Sequence, residues 1–218
     1  MVYSAYDDSV KAMIADFLQF LNQHCSDYVA SSGTGANLWL GGKYGRYTED
    51  VNLDFLGGST GRSAIAYIIQ SYCEARDYKM RCVLGRFEGK FVTCELSDAK
   101  SGAKIDVVIN ARLAMCDKDA LCTKINGVLT YELDSLITSL CITCTGDTIQ
   151  NLYDIVMLCK LHWDKLLPNT KLCVASRFAH TDLLMIMHWL EKYDREGIDI
   201  QMLRCDVRAL YEKLGFRV

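Results

Sequence analysis

Residues 46–58, RYTEDVNLDFLGG, alternate polar and apolar side chains. The polar positions are Asp50, Asn52 and Asp54, and the apolar positions between them are Val51, Leu53 and Phe55. Successive side chains of a strand point to opposite faces, so the pattern predicts a strand with three oxygen-bearing side chains on one face. Such a face suits a hard cation such as Mg²⁺. An ordinary solvated strand face explains the same alternation.

A second carboxylate occurs in KIDVVINA, where Asp106 interrupts a run of β-branched residues. An unpaired charge in apolar surroundings is costly, so this residue requires a partner. Two interpretations stay open. Asp106 is either a further metal ligand on a second strand, or it lies at a strand end and forms a salt bridge with Lys104.

The composition excludes several classes of protein. Half of the 218 residues are hydrophobic, which is enough for a substantial core, and the net charge of -3 argues against a protein that coats nucleic acid by bulk charge. The eleven cysteines are odd in number and scattered, which favours free thiols in a reducing compartment. With no signal peptide pattern and no apolar run of membrane length, we expect a cytoplasmic protein without a membrane partner.

Periodicity divides the chain into two parts. Apolar spacing predicts helices over 7–24 and 62–77, and three strand-like runs between 79 and 111 predict an antiparallel meander. Glycines recur over 28–45, which predicts tight turns there. We therefore predict an α+β fold, with a mixed sheet and flanking helices over 1–125 and a helical bundle over 126–218.

The stretch SSGTGANLWLGGKYGRYTEDVNLDFLGG resembles the signature of the AbiEii/AbiGii-type nucleotidyltransferases, toxin components of bacterial abortive-infection and toxin–antitoxin systems. The family's small-Gly-Thr turn and its Arg-x-Ser/Thr-x-Asp motif are matched by Ser32, Gly33, Thr34, Arg46, Thr48 and Asp50. KIDVVINAR, with Asp106, resembles a later family strand. NLYDIVML, with Asp154, resembles the family's Arg-Asp-Leu-Tyr-Asp helix.

The resemblance implies a nucleotidyltransferase core followed by a helical domain. It also implies metal-dependent transfer of a nucleotide from an NTP to an acceptor such as tRNA or protein, with Mg²⁺ or Mn²⁺ as cofactor and a cognate antitoxin as a possible partner. The implied metal ligands are Asp50, Asn52, Asp54 and Asp106, and Asp154 joins the three aspartates as a catalytic residue. The implied nucleotide-binding residues are Ser32, Gly33, Thr34, Arg46 and Thr48.

This chain departs from the family pattern. Asn52 replaces the second metal-binding aspartate, and Asp54 stands where many relatives have Asn. Asp54 has taken over the lost charge, or Asn52 supplies a neutral oxygen that binds metal more weakly. The family's phosphate-contacting lysine is also absent, since no Lys or Arg occurs between Lys124 and Lys160. The alternative function is therefore a catalytically impaired relative that binds nucleotide, RNA or protein.

Overall fold

The computed structural model describes residues 5–56, 61–84, 91–111, 121–143, 149–180, 182–192 and 198–217. The chain forms two compact units. The first comprises Met1–Gly35 and Thr48–Tyr131, and the second comprises Ala36–Tyr47 and Glu132–Val218. The sequence places a single boundary at 125/126, whereas the compact units divide at 131/132 and the second also takes in 36–47.

The first unit contains one seven-stranded mixed sheet in the order β3-β4-β5-β2-β1-β7-β6. Its strands are β1 Tyr28–Ala30, β2 Asp50–Phe55, β3 Lys79–Leu84, β4 Phe91–Ser97, β5 Lys104–Ala111, β6 Cys122–Ile125 and β7 Val128–Tyr131. Two pairs are parallel, β2 with β5 and β1 with β7, and the others are antiparallel. The predicted meander is confirmed as β3-β4-β5. The parallel pair β2-β5 brings the two sequence motifs next to each other.

Two helices pack on strands of this sheet: α1, Ala5–His24, and α3, Gly61–Arg76. They pack on each other through Phe17 and Tyr72, whose ring centroids lie 5.1 Å apart. Val51 and Leu53 are fully buried, as the alternation in β2 predicts. Burial of one strand face leaves the other face to carry the polar side chains.

The glycine-rich segment forms a helix, α2, over Ser32–Tyr44, where the sequence predicts turns. The regular helix breaks at Gly41, whose φ of 67° lies in the left-handed region that favours glycine. Gly45 follows closely, and a Cβ atom there would lie 2.9 Å from the carbonyl oxygen of Gly41. The glycines thus permit the sharp exit from α2 towards Arg46.

The second unit is helical, as predicted. Its helices are α4 Leu133–Thr143, α5 Ile149–His162, a 3₁₀ turn Trp163–Lys165, α6 Pro168–Ala179, α7 Leu183–Glu191 and α8 Ile200–Lys213. The lone proline starts α6, where its missing N–H costs nothing. Helix α4 packs against α6, and α5 against α8. Within the described residues, no helix has the length and apolar character needed to cross a membrane.

Candidate active site

The polar side chains of β2 become less exposed to solvent along the strand. Asp50 is exposed, Asn52 is half-buried and Asp54 is only 1% exposed. Side chains at alternate positions share one face, so all three belong to the same surface. Only the Asp50 end is open to solvent.

Asp50 and Asp106 lie side by side on neighbouring parallel strands, where they are register partners. Strands pair about 4.8 Å apart, so the two carboxylates share one patch of the open face. Thr48 accepts a hydrogen bond from the N–H of Asp50 at 3.1 Å, and the N–H of Asp106 donates to the carbonyl of Glu49 at 2.9 Å. The second of these bonds ties Glu49, just before β2, to β5. We call Asp50 and Asp106 the acidic pair.

Asp106 is exposed, although its apolar neighbours led us to expect a buried carboxylate. Those neighbours, Ile105 and Val107, face the core, while Asp106 shares the polar face with Glu95 of β4, its register partner. Partial desolvation raises the pKa of the Asp106 carboxyl, and the charges of Glu95 and Glu49 raise it further. Glu95 was not among the predicted site residues, although the alternation in FVTCELSD places it on a polar face. The patch therefore concentrates negative charge.

We expect Asp106→Asn to be more stable than the wild type at neutral pH without divalent metal. The folded-state pKa of Asp106 is raised, so its contribution to stability is fully present below about pH 3.9 and is lost as pH rises through the folded-state value. Solvent screening limits the gain in Tm to about 1–2 °C. Thermal unfolding at pH 7 and below pH 4 checks this, and the gap should close at the lower pH. An equal difference in Tm between variant and wild type at both pH values would show that the amide acts through packing.

Within the described ranges, no three His, Cys, Asp or Glu side chains converge closely enough to hold a metal ion. Mg²⁺ commonly takes only one or two carboxylates, with waters and substrate phosphates as its other ligands. The acidic pair meets that requirement with oxygen donors alone, and the Asn52 amide adds a neutral oxygen on the same face. The residues present therefore fit a magnesium ion that shares its shell with a phosphate.

Asp54 lies at the closed end and receives hydrogen bonds from three side chains. Ser31 Oγ donates at 3.1 Å and Asn110 Nδ2 at 3.2 Å to Oδ1, and Tyr131 Oη donates at 2.6 Å to Oδ2. We call these four residues the Asp54 network. Its burial separates Asp54 from the open face where Asp50 and Asp106 lie.

Residues 31–34 form a turn between β1 and the first turn of α2. This turn is hydrogen-bonded to the backbone of β2. The N–H of Ser31 donates to the carbonyl of Asn52 at 3.0 Å, and the N–H of Asn52 donates to Thr34 Oγ1 at 2.8 Å. Ser32 has a φ of 46°, which is unusual for a residue other than glycine. Two hydrogen bonds thus fasten this turn to the middle of β2. Because we propose below that it binds phosphate, we call it the phosphate turn.

The N-terminus of α2 offers a place for an anion. The N–H of Gly35 is bonded to the carbonyl of Ser31 at 3.1 Å. The N–H groups of Ser32, Gly33 and Thr34 precede it, in the first turn of a helix, where no intrahelical acceptor exists. Backbone donors and the helix dipole at such an end favour phosphate. The Thr34 side chain is already engaged with Asn52, so its hydroxyl positions the turn.

In the second unit, Arg46 and Asp154 bind each other. Nε and Nη2 of Arg46 donate to the two carboxylate oxygens of Asp154, both at 2.9 Å, and Asp154 is 0% exposed. Burial raises the pKa of the Asp154 carboxyl, and the Arg46 guanidinium opposes that rise. Asn37 holds the backbone of Arg46 through its amide, at 3.0 and 3.1 Å. Both residues that the resemblance implicates thus belong to one buried ion pair.

Solved structures match the chain over nearly its whole length. Alignment with JHP933 from Helicobacter pylori gives a TM-score of 0.68 at 13% identity, covering 98% of this chain and 95% of that one. A second H. pylori protein, described as a candidate nucleotidyltransferase, gives 0.70 at 14% identity and covers 98% of both chains. The chain has a nucleotidyltransferase fold.

MenT4, a nucleotidyltransferase toxin from Mycobacterium tuberculosis, shares this nucleotidyltransferase fold with a TM-score of 0.51 at 14% identity, covering 99% of this chain and 87% of that one. No protein-family model and no curated protein matches the chain. Identities this low establish the fold, and activity has to be argued from the site.

Proposed function

We propose that the protein is a metal-dependent nucleotidyltransferase that transfers a nucleotide from an NTP to an acceptor. The observation that carries the proposal is the acidic pair, Asp50 and Asp106, at the open end of the polar face of β2, the strand to whose backbone the phosphate turn is bonded. Carboxylates for a cation and backbone donors for phosphates are the two components that nucleotidyl transfer needs. Both occur on one sheet in the first unit.

Each group has a distinct role in this proposal. Asp50 and Asp106 would hold Mg²⁺ or Mn²⁺, and Asn52 would offer its neutral oxygen. When bound, such an ion would neutralise phosphate charge and favour attack of an acceptor hydroxyl on the α-phosphate of the NTP, with pyrophosphate as the leaving group. The N–H groups of Ser32 and Gly33 bind phosphate oxygens of the NTP, which orients the chain of phosphates before attack.

We propose further that the enzyme is a toxin of the AbiEii type, with tRNA or protein as acceptor and a cognate antitoxin as partner. This finer level depends on the match of Ser32, Gly33, Thr34 and Asp50 to the family motif. MenT4 is itself a nucleotidyltransferase toxin. Labelling of purified tRNA and of total protein with each radioactive NTP identifies the acceptor.

The second candidate is a relative that binds nucleotide without transferring it. Asn52 removes one negative charge from the open face, and the segment between Lys124 and Lys160 carries no cation to hold the triphosphate. Each substitution weakens the binding of metal or phosphate by removing a charge-assisted contact. Under this alternative, the fold is kept and the chemistry is lost.

A thermal-shift titration of each NTP, with and without Mg²⁺, tests the proposal on the wild type and on Asn52→Asp. We expect one NTP to raise Tm only when Mg²⁺ is present, by about 5 °C at a hundredfold excess over Kd. A rise without metal and without transfer favours the binding relative. A response in Asn52→Asp alone indicates an enzyme that has lost its activity. If neither protein responds, the nucleotide site is refuted.

A further inference from the structure

We propose that the Asp54 network is a positioning device that holds the phosphate turn in its binding conformation, and that Asp54 is not a metal ligand. The proposal rests on the proposed function, because it takes the turn to bind the triphosphate. It assigns a role to Asp54, Ser31 and Tyr131 that the family motif does not describe. In this role, the hydrogen bonds of Asp54 fix the phosphate turn to the sheet of the first unit.

The network joins four strands at one buried carboxylate. Asp54 is on β2, Asn110 on β5 and Tyr131 on β7, and Ser31 directly follows β1. A carboxylate can accept about four hydrogen bonds, and three of those positions are filled by side chains of the network. Because Asp54 is 1% exposed, displacing those donors to admit a metal would leave buried polar groups unsatisfied.

Ser31 connects the network to the phosphate turn. Its side chain binds Asp54 while its N–H binds the carbonyl of Asn52, so both ends of this residue are fixed to β2. The next residue, Ser32, has the left-handed φ of 46°. A non-glycine residue keeps such a conformation only where its surroundings over-determine it. Fixing Ser31 thus maintains the geometry that turns the first N–H groups of α2 towards an anion.

A variant of Tyr131 distinguishes between a positioning role and a metal-ligand role for Asp54. Its hydroxyl donates the shortest bond of the network, 2.6 Å, and Tyr131→Phe removes that donor while leaving the Asp54 carboxylate in place. Asp54→Asn keeps the shape but replaces one acceptor oxygen with an NH₂ group that faces a donor. If Asp54 positions the turn, the two variants change nucleotide binding in the same direction. If Asp54 binds metal, only Asp54→Asn changes it.

The experiment measures NTP binding by calorimetry at a series of Mg²⁺ concentrations for the wild type, Tyr131→Phe, Ser31→Ala and Asp54→Asn. We expect the Kd for NTP to rise roughly tenfold in each variant, the effect of losing one hydrogen bond to a charged group, with the Mg²⁺ concentration for half-saturation unchanged. Tyr28→Phe is the matched control, because this buried tyrosine is the register partner of Phe55, on the other sheet face. It should bind NTP like the wild type.

The proposal is overturned if Asp54→Asn raises the Mg²⁺ requirement while Tyr131→Phe and Ser31→Ala behave like the wild type. If the wild type binds no NTP, the proposed function fails, and hydrogen exchange still decides the network. Tyr131→Phe should then speed amide exchange over 31–35 roughly tenfold, as expected for the loss of one hydrogen bond, and leave α3, Gly61–Arg76, unchanged. Unchanged exchange over 31–35 refutes the positioning role.

Discussion

Replacing Asp154 with alanine should destabilise the helical unit by about 3–5 kcal/mol, because it leaves the Arg46 guanidinium buried without its counter-charge. The side chain of Arg46 is 9% exposed, and two of its nitrogens bind Asp154 at 2.9 Å. Urea unfolding followed by circular dichroism measures the loss as a lower midpoint.

An ion pair of the same unit whose cation is solvent-accessible provides the matched control. Lys160 is 43% exposed and binds Asp206 at 2.7 Å, so Asp206→Ala should cost no more than about 1 kcal/mol. The double variant Arg46→Met with Asp154→Leu should recover much of the loss, because apolar groups of similar size tolerate burial. If Asp154→Ala costs no more than Asp206→Ala, the pair does not determine stability.

This pair bears on how the motif residues are assigned. The resemblance places Arg46 on the nucleotide and Asp154 among the catalytic residues. In the structure, Nε and Nη2 of Arg46 instead donate hydrogen bonds to both carboxylate oxygens of Asp154. Asn37 binds both backbone groups of Arg46 as well. The contacts favour a role in holding the segment 36–47, which comprises most of α2 and the three residues that follow it. The catalytic assignment stays a prediction for Asp154.

Local sequence patterns predicted the helices and strands better than they predicted which strands pair with each other. Alternation in 46–58 identified β2 and its polar face, but no local signal places Asp106 opposite Asp50. That register depends on a parallel pair joined through α3, β3 and β4. Alternation also assigned Asp54 to the same face as Asp50 without showing which end of the face is covered. Burial of Asp54 depends on Tyr131, which is distant in sequence.

The β6-β7 hairpin and helix α2 were missed for different reasons. The turn Asn126-Gly127 has φ values of 51° and 82°, as in a two-residue hairpin, and Asn-Gly between apolar runs predicts that hairpin. The sequence signal was present, although we assigned this stretch to the helical part. Helix α2 gave no comparable signal, because its glycines have low helix propensity. Tertiary bonds from Thr34 and Asn37 support it instead.

Under the proposed function, Asp50→Ala and Asp106→Ala should each lower the rate of nucleotide transfer by roughly 10³-fold, since loss of the proposed metal ion would remove several kcal/mol of transition-state stabilisation. The two residues are register partners at the open end of the sheet face, so each variant leaves a single carboxylate for the ion. Single-turnover assays with labelled NTP and the identified acceptor measure the rate. Asp164→Ala, which removes an exposed carboxylate in the second unit, is the matched control and should retain full activity. Equal rates in Asp50→Ala and the wild type would exclude the acidic pair from the chemistry.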